Sequence, residues 1–390
     1  MIYLDYNATT PLHPRVFEAM VPFMRDRWGN PSSPYRFGNE ARAAVERSRQ
    51  RIAECVGCKP DEIVFCSSGT ESDNLAIRGA AAALGSRGDH IVTTAIEHHA
   101  VLNTCRALEA GGHRITYLPV DSDGVVEIEA LARSLTSRTV LVTVMHANNE
   151  TGVIQPVDEI AGIVKERGIV FHTDAVQTAG KLPRRLGDIR ADLVSFSGHK
   201  LYGPKGIAAL VVRSGTPLSP VITGGAHERG LRAGTENVAG IVGLAEAMAL
   251  ACEASEAEGG RLRKMRDRLE REIGSAVPGV TVNGAGAPRM PNTSNITFRS
   301  VDGESIVLGL DLRDICVSTG SACSTGDPEP SHVLQAMGLP AMEAQSSIRI
   351  SLGRDTREED IDATVSALAE TVGRLRAISS TADLSYQGRA

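Results

Sequence analysis

Apolar residues in this chain gather into short runs bounded by glycine and acidic residues. The runs are Ile63 to Phe65, His90 to Thr94, Arg114 to Leu118, Val140 to Met145, Ile169 to Phe171, Leu193 to Phe196 and Ala208 to Val212. Runs this short read as strands. Between them the pattern changes period: from Val157 to Arg167 the apolar positions 157, 160, 161, 163 and 164 fall on one helical face. Strands alternating with amphipathic helices predict an α/β fold built on a doubly wound, mostly parallel sheet. Such sheets bind ligands at the carboxyl ends of their strands.

After Thr235 the pattern changes again. Ala- and Glu-rich sequence from Glu236 to about Val277 predicts one long helix leading into a smaller α+β domain. There Thr293 to Phe298 and Ser347 to Leu352 read as strands, and Thr356-Arg357-Glu358-Glu359 as a capping box. Ile361, Val365, Leu368, Val372 and Leu375 form the buried stripe of a last helix. Met1 to Asp5 resembles an early strand, and the polar Ser379 to Ala390 is expected to fray. The expected division is a large domain over 13–255, a small one made of 1–12 with 256–378, and a flexible tail over 379–390.

Composition narrows the partners. A net charge of −6 over 390 residues, with no basic stripe interleaved with aromatics, argues against nucleic acid. No apolar run reads as a membrane span, and the amino terminus lacks the regions of a signal peptide, so a cytoplasmic protein with no membrane partner is expected. Seven irregularly spaced cysteines point to reduced thiols rather than a disulfide framework. Cys55-Val56-Gly57-Cys58 matches a redox or zinc half-site. It ends a helical stretch with no second pair at ribbon spacing, so it reads as local structure and no certain metal site follows.

Lys200 closes Ser197-Gly198-His199-Lys200 just after a strand, and Asp174 ends the strand before it. A lysine amine can hold an aldehyde cofactor, and a carboxylate can keep a pyridine nitrogen protonated; together they point to pyridoxal 5′-phosphate. Ser67-Ser68-Gly69-Thr70-Glu71 opens an Ala-rich helix and suits a phosphate, or is a plain cap. His98 follows a strand and could stack on a ring and move protons, or be structural. Asn148, Asn149 and Gln177 can donate to a phenolate oxygen. Arg349 alternates with apolar neighbours and suits a substrate carboxylate, or a structural ion pair. Cys323 sits among small and hydroxylated residues and is a candidate nucleophile.

Read in order, these segments resemble the cysteine desulfurases of the NifS and IscS type. The matching stretches include Asn7-Ala8-Thr9-Thr10, Gly29-Asn30-Pro31-Ser32-Ser33, Gly69 to Asn74, His146 to Gly152 and His172 to Gln177. Ser197 to Lys200, Arg232 to Asn237, Gly320-Ser321-Ala322-Cys323 and Glu329 to Leu334 complete the set. The resemblance implies the type I fold of pyridoxal phosphate-dependent transferases, like aspartate aminotransferase. It also implies Lys200 as the cofactor's covalent anchor, Asp174 on the pyridine nitrogen, His98 stacked on the ring, and Asn149 and Gln177 on the phenolate side. Gly69, Thr70, Ser197 and His199 would hold the phosphate, with Thr235 reaching in from the partner subunit of a homodimer. Arg349, with Asn7 nearby, would grip L-cysteine. Cys323 would take the sulfur as a persulfide and pass it to an iron–sulfur scaffold or other acceptor, which makes it a candidate ligand of a transferred cluster. Tyr6 and Gly224 to His227 depart from the usual pattern without removing a catalytic group. The rival readings are a selenocysteine lyase, a small-molecule aminotransferase and a non-catalytic sulfur scaffold.

Overall fold

The computed structural model describes residues 1–319 and 330–387, with side chains as far as Ile378. Its strands are β1 (Ile2–Tyr3), β2 (Ile63–Cys66), β3 (His90–Thr94), β4 (Arg114–Leu118), β5 (Thr139–Thr143), β6 (Val170–Asp174) and β7 (Leu193–Ser197). There follow β8 (Ala208–Val212), β9 (Val280–Val282), β10 (Thr293–Phe298), β11 (Ile315–Cys316), β12 (Ser318–Thr319) and β13 (Ser347–Ser351). The helices are α1 (Pro14–Arg25), α2 (Arg36–Val56), α3 (Gly69–Leu84), α4 (His99–Ala110), α5 (Ile128–Ser134) and α6 (Val157–Glu166). Then come α7 (Val238–Ala276), α8 (Gly303–Asp311), α9 (His332–Ala336), α10 (Ala341–Gln345) and α11 (Glu358–Gln387).

Seven strands form the main sheet in the order β2-β8-β7-β6-β5-β3-β4. Neighbours from β7 to β4 pair in parallel, and only β8 runs against both of its partners. Alternate residues of each strand enter opposite cores: Ile63 and Phe65 pack on one face, Val64 and Cys66 on the other. Burial on both faces is why these strands read as continuous apolar runs. A second, antiparallel sheet, β12-β13-β10-β9, packs with α8 and α11 around Ile296, Phe298, Ile306, Ile348 and Leu368. The long α7 joins the two: Ile241, Leu244 and Met248 belong to the first core, Leu262, Leu269 and Ile273 to the second.

Three features of the helices bear on the expectations above. Part of α7 is long and apolar enough, with a mean hydropathy of 1.5, to cross a membrane on length and composition, and about half of that stretch is buried within the fold. The capping box is shifted by one residue. α11 starts at Glu358, the Asp360 carboxylate accepts from the Arg357 amide at 2.8 Å, and Thr356 Oγ1 instead takes the Gly353 amide at 2.9 Å. The helix also continues to Gln387, into the stretch expected to fray.

One buried ion pair ties the main sheet to a distant loop. Arg49 of α2 reaches Glu228 through two bonds of 2.8 and 2.9 Å, and the Phe65 amide donates to the same carboxylate at 2.9 Å. Glu228 and Arg229 sit at φ 46 and 56, a left-handed conformation that non-glycine residues hold only when their surroundings fix them. Glu228→Ala would strip the buried Arg49 charge of its two-bond partner, leaving only the exposed Glu46 carboxylate at 3.3 Å from Nε. A loss of about 3–5 kcal/mol of stability is expected in denaturant melts. A variant melting like wild type would show that the pair does not anchor the loop.

Candidate active site

Parallel pairing sends β3, β5, β6 and β7 to one edge of the sheet. Two antiparallel steps through β8 bring the end of β2 to that same edge. The segments after these strands therefore converge there: Gly69 and Thr70 after β2, His98 after β3, Asn149 after β5, Gln177 after β6, and Lys200 on a single turn after β7. Asp174, the last residue of β6, pairs in register with Ser195 of β7.

Lys200 Nζ donates to the carbonyls of Asn7 and Ala8, at 2.5 and 2.7 Å. Asp174 is buried, and its Oδ1 accepts from the Val176 amide at 2.8 Å. Burial pushes its carboxyl up to about 6. The neighbouring Asp73 is driven much further up by burial and by the Asp174 charge, so at neutral pH Asp174 is the ionised member of the pair. Gln177 Nε2 donates to the Asn7 carbonyl at 3.1 Å. His98 caps α4, its Nδ1 accepting from the Ala100 amide at 3.1 Å. That bond places the proton of the neutral ring on Nε2. Burial and the Lys200 charge push this imidazole down to about 4, so neutral is its form at physiological pH.

The phosphate-side residues have equally definite places. Ser68 Oγ takes the Glu71 amide, while the amides of Gly69 and Thr70 have no acceptor within α3. A Cβ on Gly69 would stand 3.0 Å from Val176 Cγ2, a tight contact that glycine avoids where this helix start approaches the segment after β6. Ser197 is buried at the end of β7. His199 Nδ1 lies 3.1 Å from Thr9 Oγ1, and burial with the Lys200 charge holds the ring down at about 4. Thr235 is exposed on this single chain, lining a cavity of about 110 Å³ with Ser67 and Gly206.

Arg349 comes from β13. The N-terminal segment runs beside that strand, bridging Asp5 to Ser351, and so brings Asp5 to the arginine. Arg349 Nη2 donates to Asp5 Oδ1 at 2.7 Å and Nη1 to the Asn149 carbonyl at 3.1 Å, while Nε is buried without a hydrogen-bond partner among the described residues. Asn7, expected near the substrate, is bonded within the fold. Its Nδ2 donates to the Asn149 carbonyl and Thr293 Oγ1 and its Oδ1 accepts from Asn292, which leaves its backbone carbonyl to face Lys200 and Gln177. Of the asparagine pair, Asn148 organises the turn, its Oδ1 taking the Glu150 and Thr151 amides, and Asn149 is half-buried.

Cys323 lies outside the described residues. The chain on either side of that segment is nonetheless fixed at this site. Ser318 pairs in register with Arg349, and Ser331 Oγ donates to the buried Glu150 at 2.5 Å. Burial pushes Glu150 up to about 7 against the pull of that bond. His332 approaches the Glu97 carbonyl at 3.0 Å. Glu97 itself is fully buried, with Oε1 accepting from Thr94 and Met145 and Oε2 unpartnered among the described residues, and burial pushes it up to about 8. Because the folded value exceeds the ordinary carboxyl value of 4.5, its contribution to stability is fully present below about 4.5 and is lost as pH rises through about 8. Glu97→Gln keeps the accepting oxygen and removes the titration. Its melting temperature is expected to fall less than that of wild type between pH 5 and pH 9; parallel declines would refute a neutral Glu97.

Three contributors escaped the sequence reading. Lys181 Nζ donates to Gln177 Oε1 at 3.2 Å, which turns the amide so that its NH₂ faces Asn7; burial and the charges of Lys200 and Arg349 push it down to about 7. Its i, i+4 spacing from Gln177 was the available signal. Asp5 had none, since its pairing with Arg349 depends on how the N-terminal segment crosses β13. Tyr202, at φ 63, is held by Thr10 Oγ1 on its amide and by the Arg354 amide on its hydroxyl, and so fixes the turn that carries Lys200. Tyr6 has a plain reason as well: its ring packs directly on Gly353, where any Cβ would collide with it.

The chain matches the class-V aminotransferase family model over residues 2–364. It is 50% identical over 378 residues to the cysteine desulfurase IscS of Dictyoglomus turgidum, covering 97% of this chain and 96% of the relative. It is 49% identical to a cysteine desulfurase of Nostoc over 379 residues, 97% of this chain and 94% of that one. Among solved structures, a NifS-like protein superposes with a TM-score of 0.90 at 40% identity, covering 96% of this chain and all of the other. SspA in complex with cysteine does so at 0.80 and 38%, covering 90% and 99%. With the sheet, the lysine and the carboxylate arranged as described, the chain belongs to the class-V aminotransferases and, within them, to the cysteine desulfurases.

Proposed function

We propose that this protein takes the sulfur atom from L-cysteine, releases L-alanine, and carries the sulfur as a persulfide on Cys323 for delivery to an iron–sulfur scaffold or another acceptor. The observation that carries this reading is the meeting, at one sheet edge, of a lysine amine, a buried carboxylate and an arginine whose Nε has no partner among the described residues.

The family works with pyridoxal 5′-phosphate, and the residues present suit it. Gly69 leaves a cradle that a Cβ would narrow, and the unbonded amides at the start of α3 suit a phosphate. Lys200 would hold the aldehyde carbon, Asp174 the pyridine nitrogen, and Gln177 and Asn149 the phenolate side, with His98 over the ring. Thr70, Ser197 and His199 would hold the phosphate, together with Thr235 of a second copy. When bound, the cofactor supplies an electron sink for the charge left on the substrate carbon. Asp174, ionised at neutral pH, keeps a proton on the ring nitrogen. Lys200 Nζ takes the α-proton of the substrate. Arg349 Nε and its neighbouring nitrogens hold the substrate carboxylate, with Asp5 fixing the plane of the guanidinium. His98, neutral and protonated on Nε2, passes a proton to or from the substrate. Cys323 as thiolate attacks the substrate sulfur; the substrate's C–S bond breaks, the sulfur stays on Cys323 as a persulfide, and the electron pair passes to the substrate's β-carbon, which takes a proton on the way to alanine.

A homodimer accounts for apolar side chains this chain leaves in solvent, Phe17, Met24 and Trp28 among them. Residues 13–255 form the cofactor domain in this proposal, and 1–12 with 256–378 the smaller one. The test is stoichiometry. Protein supplied with pyridoxal phosphate and L-cysteine should yield alanine and reductant-released sulfide in equal amounts. Formation of a keto acid without sulfide would make it an aminotransferase instead.

A further inference from the structure

The Cys55-x-x-Cys58 motif takes no part in the chemistry above, and the structure separates its two thiols. Gly57, at φ 81, ends α2 between them. Cys58 packs against the main core, where burial pushes its thiol up to about 12. Cys55 instead faces α7. Cys252 Sγ lies 3.9 Å from the Cys55 carbonyl across the contact between α2 and α7. Both thiols line one cavity of about 320 Å³ between α2, α7 and the segment from Leu182 to Leu186, with Arg184 and Arg185 at its wall. Arg184 is held by Asp158 through two bonds of 2.6 Å, and Arg185 lies 3.5 Å from Asp188.

We propose that Cys55 and Cys252 are a peroxide-reactive thiol pair that closes a disulfide between α2 and α7, independent of the sulfur-carrying Cys323. The electronics of the pair favour Cys55 as the attacking thiol. A hydrogen bond from Cys252 lowers Cys55 to about 7 against burial, with help from the Arg51 charge, while the same bond raises Cys252. A position at the end of a helix gives no dipole assistance, so the lowering comes from the partner thiol and the arginine. In the first step the Cys55 thiolate sulfur attacks one oxygen of a hydroperoxide. The O–O bond breaks, the alcohol or water leaves after taking a proton, and Cys55 becomes a sulfenic acid. In the second, the Cys252 sulfur attacks the Cys55 sulfur, the S–O bond breaks, and the hydroxyl leaves as water with the Cys252 proton. Two thiols are oxidised by two electrons and one peroxide is reduced. The cavity gives a small oxidant access to both sulfurs, in contrast to Cys66 and Cys105, which are buried and whose thiols burial raises.

The experiment uses the full-length, cofactor-loaded protein carrying Cys323→Ser, so that the sulfur-carrying thiol does not contribute. It is treated with hydrogen peroxide, alkylated, digested without reductant and mapped by mass spectrometry. The expected product is a Cys55–Cys252 linked peptide that dithiothreitol reverses, with a higher melting temperature for the oxidised protein. In Cys252→Ala the second step is blocked, and dimedone should label Cys55 ahead of every other cysteine. A Cys55–Cys58 link, first labelling of Cys58 or Cys105, or Cys55 and Cys252 alkylated as fully after peroxide as before, would each overturn the proposal.

Discussion

Lys200→Ala is expected to abolish desulfuration while leaving the fold in place. In the native chain the ammonium is held by two carbonyls, those of Asn7 and Ala8, and its turn is fixed from outside by Tyr202 and Thr10. Removing the side chain leaves those carbonyls without a donor but disturbs no apolar core, so far-UV and near-UV circular dichroism should match wild type. The chemistry loses two functions together. A positioned general base is worth about 10²–10⁴ in rate, and loss of the covalent anchor adds to that. Alanine release should therefore fall by at least about a thousandfold. A second readout is independent of turnover: borohydride treatment should fix the cofactor's mass to the peptide containing Lys200 in wild type and to no peptide in the variant. Near-normal alanine production would remove Lys200 from the mechanism. A fixed cofactor on another lysine, such as the half-buried Lys181, would relocate the anchor.

The strands of the main sheet were legible because both of their faces are buried, so that each reads as an uninterrupted apolar run. The direction of β8 was not. A strand running against its neighbours has the same composition as one running with them, and only the short return from Lys200 to Ala208 hinted at it. Residues on strand ends were legible for a related reason: Asp174 and Lys200 break apolar runs with a charge at the edge where parallel strands stop. What the sequence could not show were contacts made by the crossing N-terminal segment. Asp5 against Arg349, and the commitment of the Asn7 amide to Asn149, Thr293 and Asn292, depend on contacts between residues 142 to 344 positions apart. The shifted start of α11 has a local cause. Thr356 is drawn to the Gly353 amide by the turn before the helix, and Asp360 then supplies the reciprocal bond one residue later than expected. Cys55 illustrates the opposite case. A motif read along the chain pointed to Cys58, while the partner in space, Cys252, comes from a helix nearly two hundred residues away.

Cys323→Ser is expected to separate the cofactor's work from sulfur transfer. The ends of the segment that bears this cysteine are pinned beside Arg349, through the Ser318 pairing, and beside Asn149, through the bond from Ser331 to Glu150. A serine hydroxyl keeps nearly the size and polarity of the thiol, so substrate binding, read as the change in cofactor absorbance on adding L-cysteine, should keep an apparent Kd within about twofold of wild type. The hydroxyl does not ionise near neutral pH and cannot accept a sulfur atom as a thiolate does. Sulfide and alanine formation should therefore drop by two orders of magnitude or more, as expected for loss of an activated nucleophile. Intact-mass measurement after incubation with L-cysteine should find an added sulfur on the Cys323 peptide of wild type and none there in the variant. Full-rate desulfuration by the serine variant would show that Cys323 does not receive the sulfur. A variant that fails on cysteine yet still cleaves selenocysteine, whose selenium leaves more readily, would shift the reading to a lyase in which the thiol sets the choice of substrate.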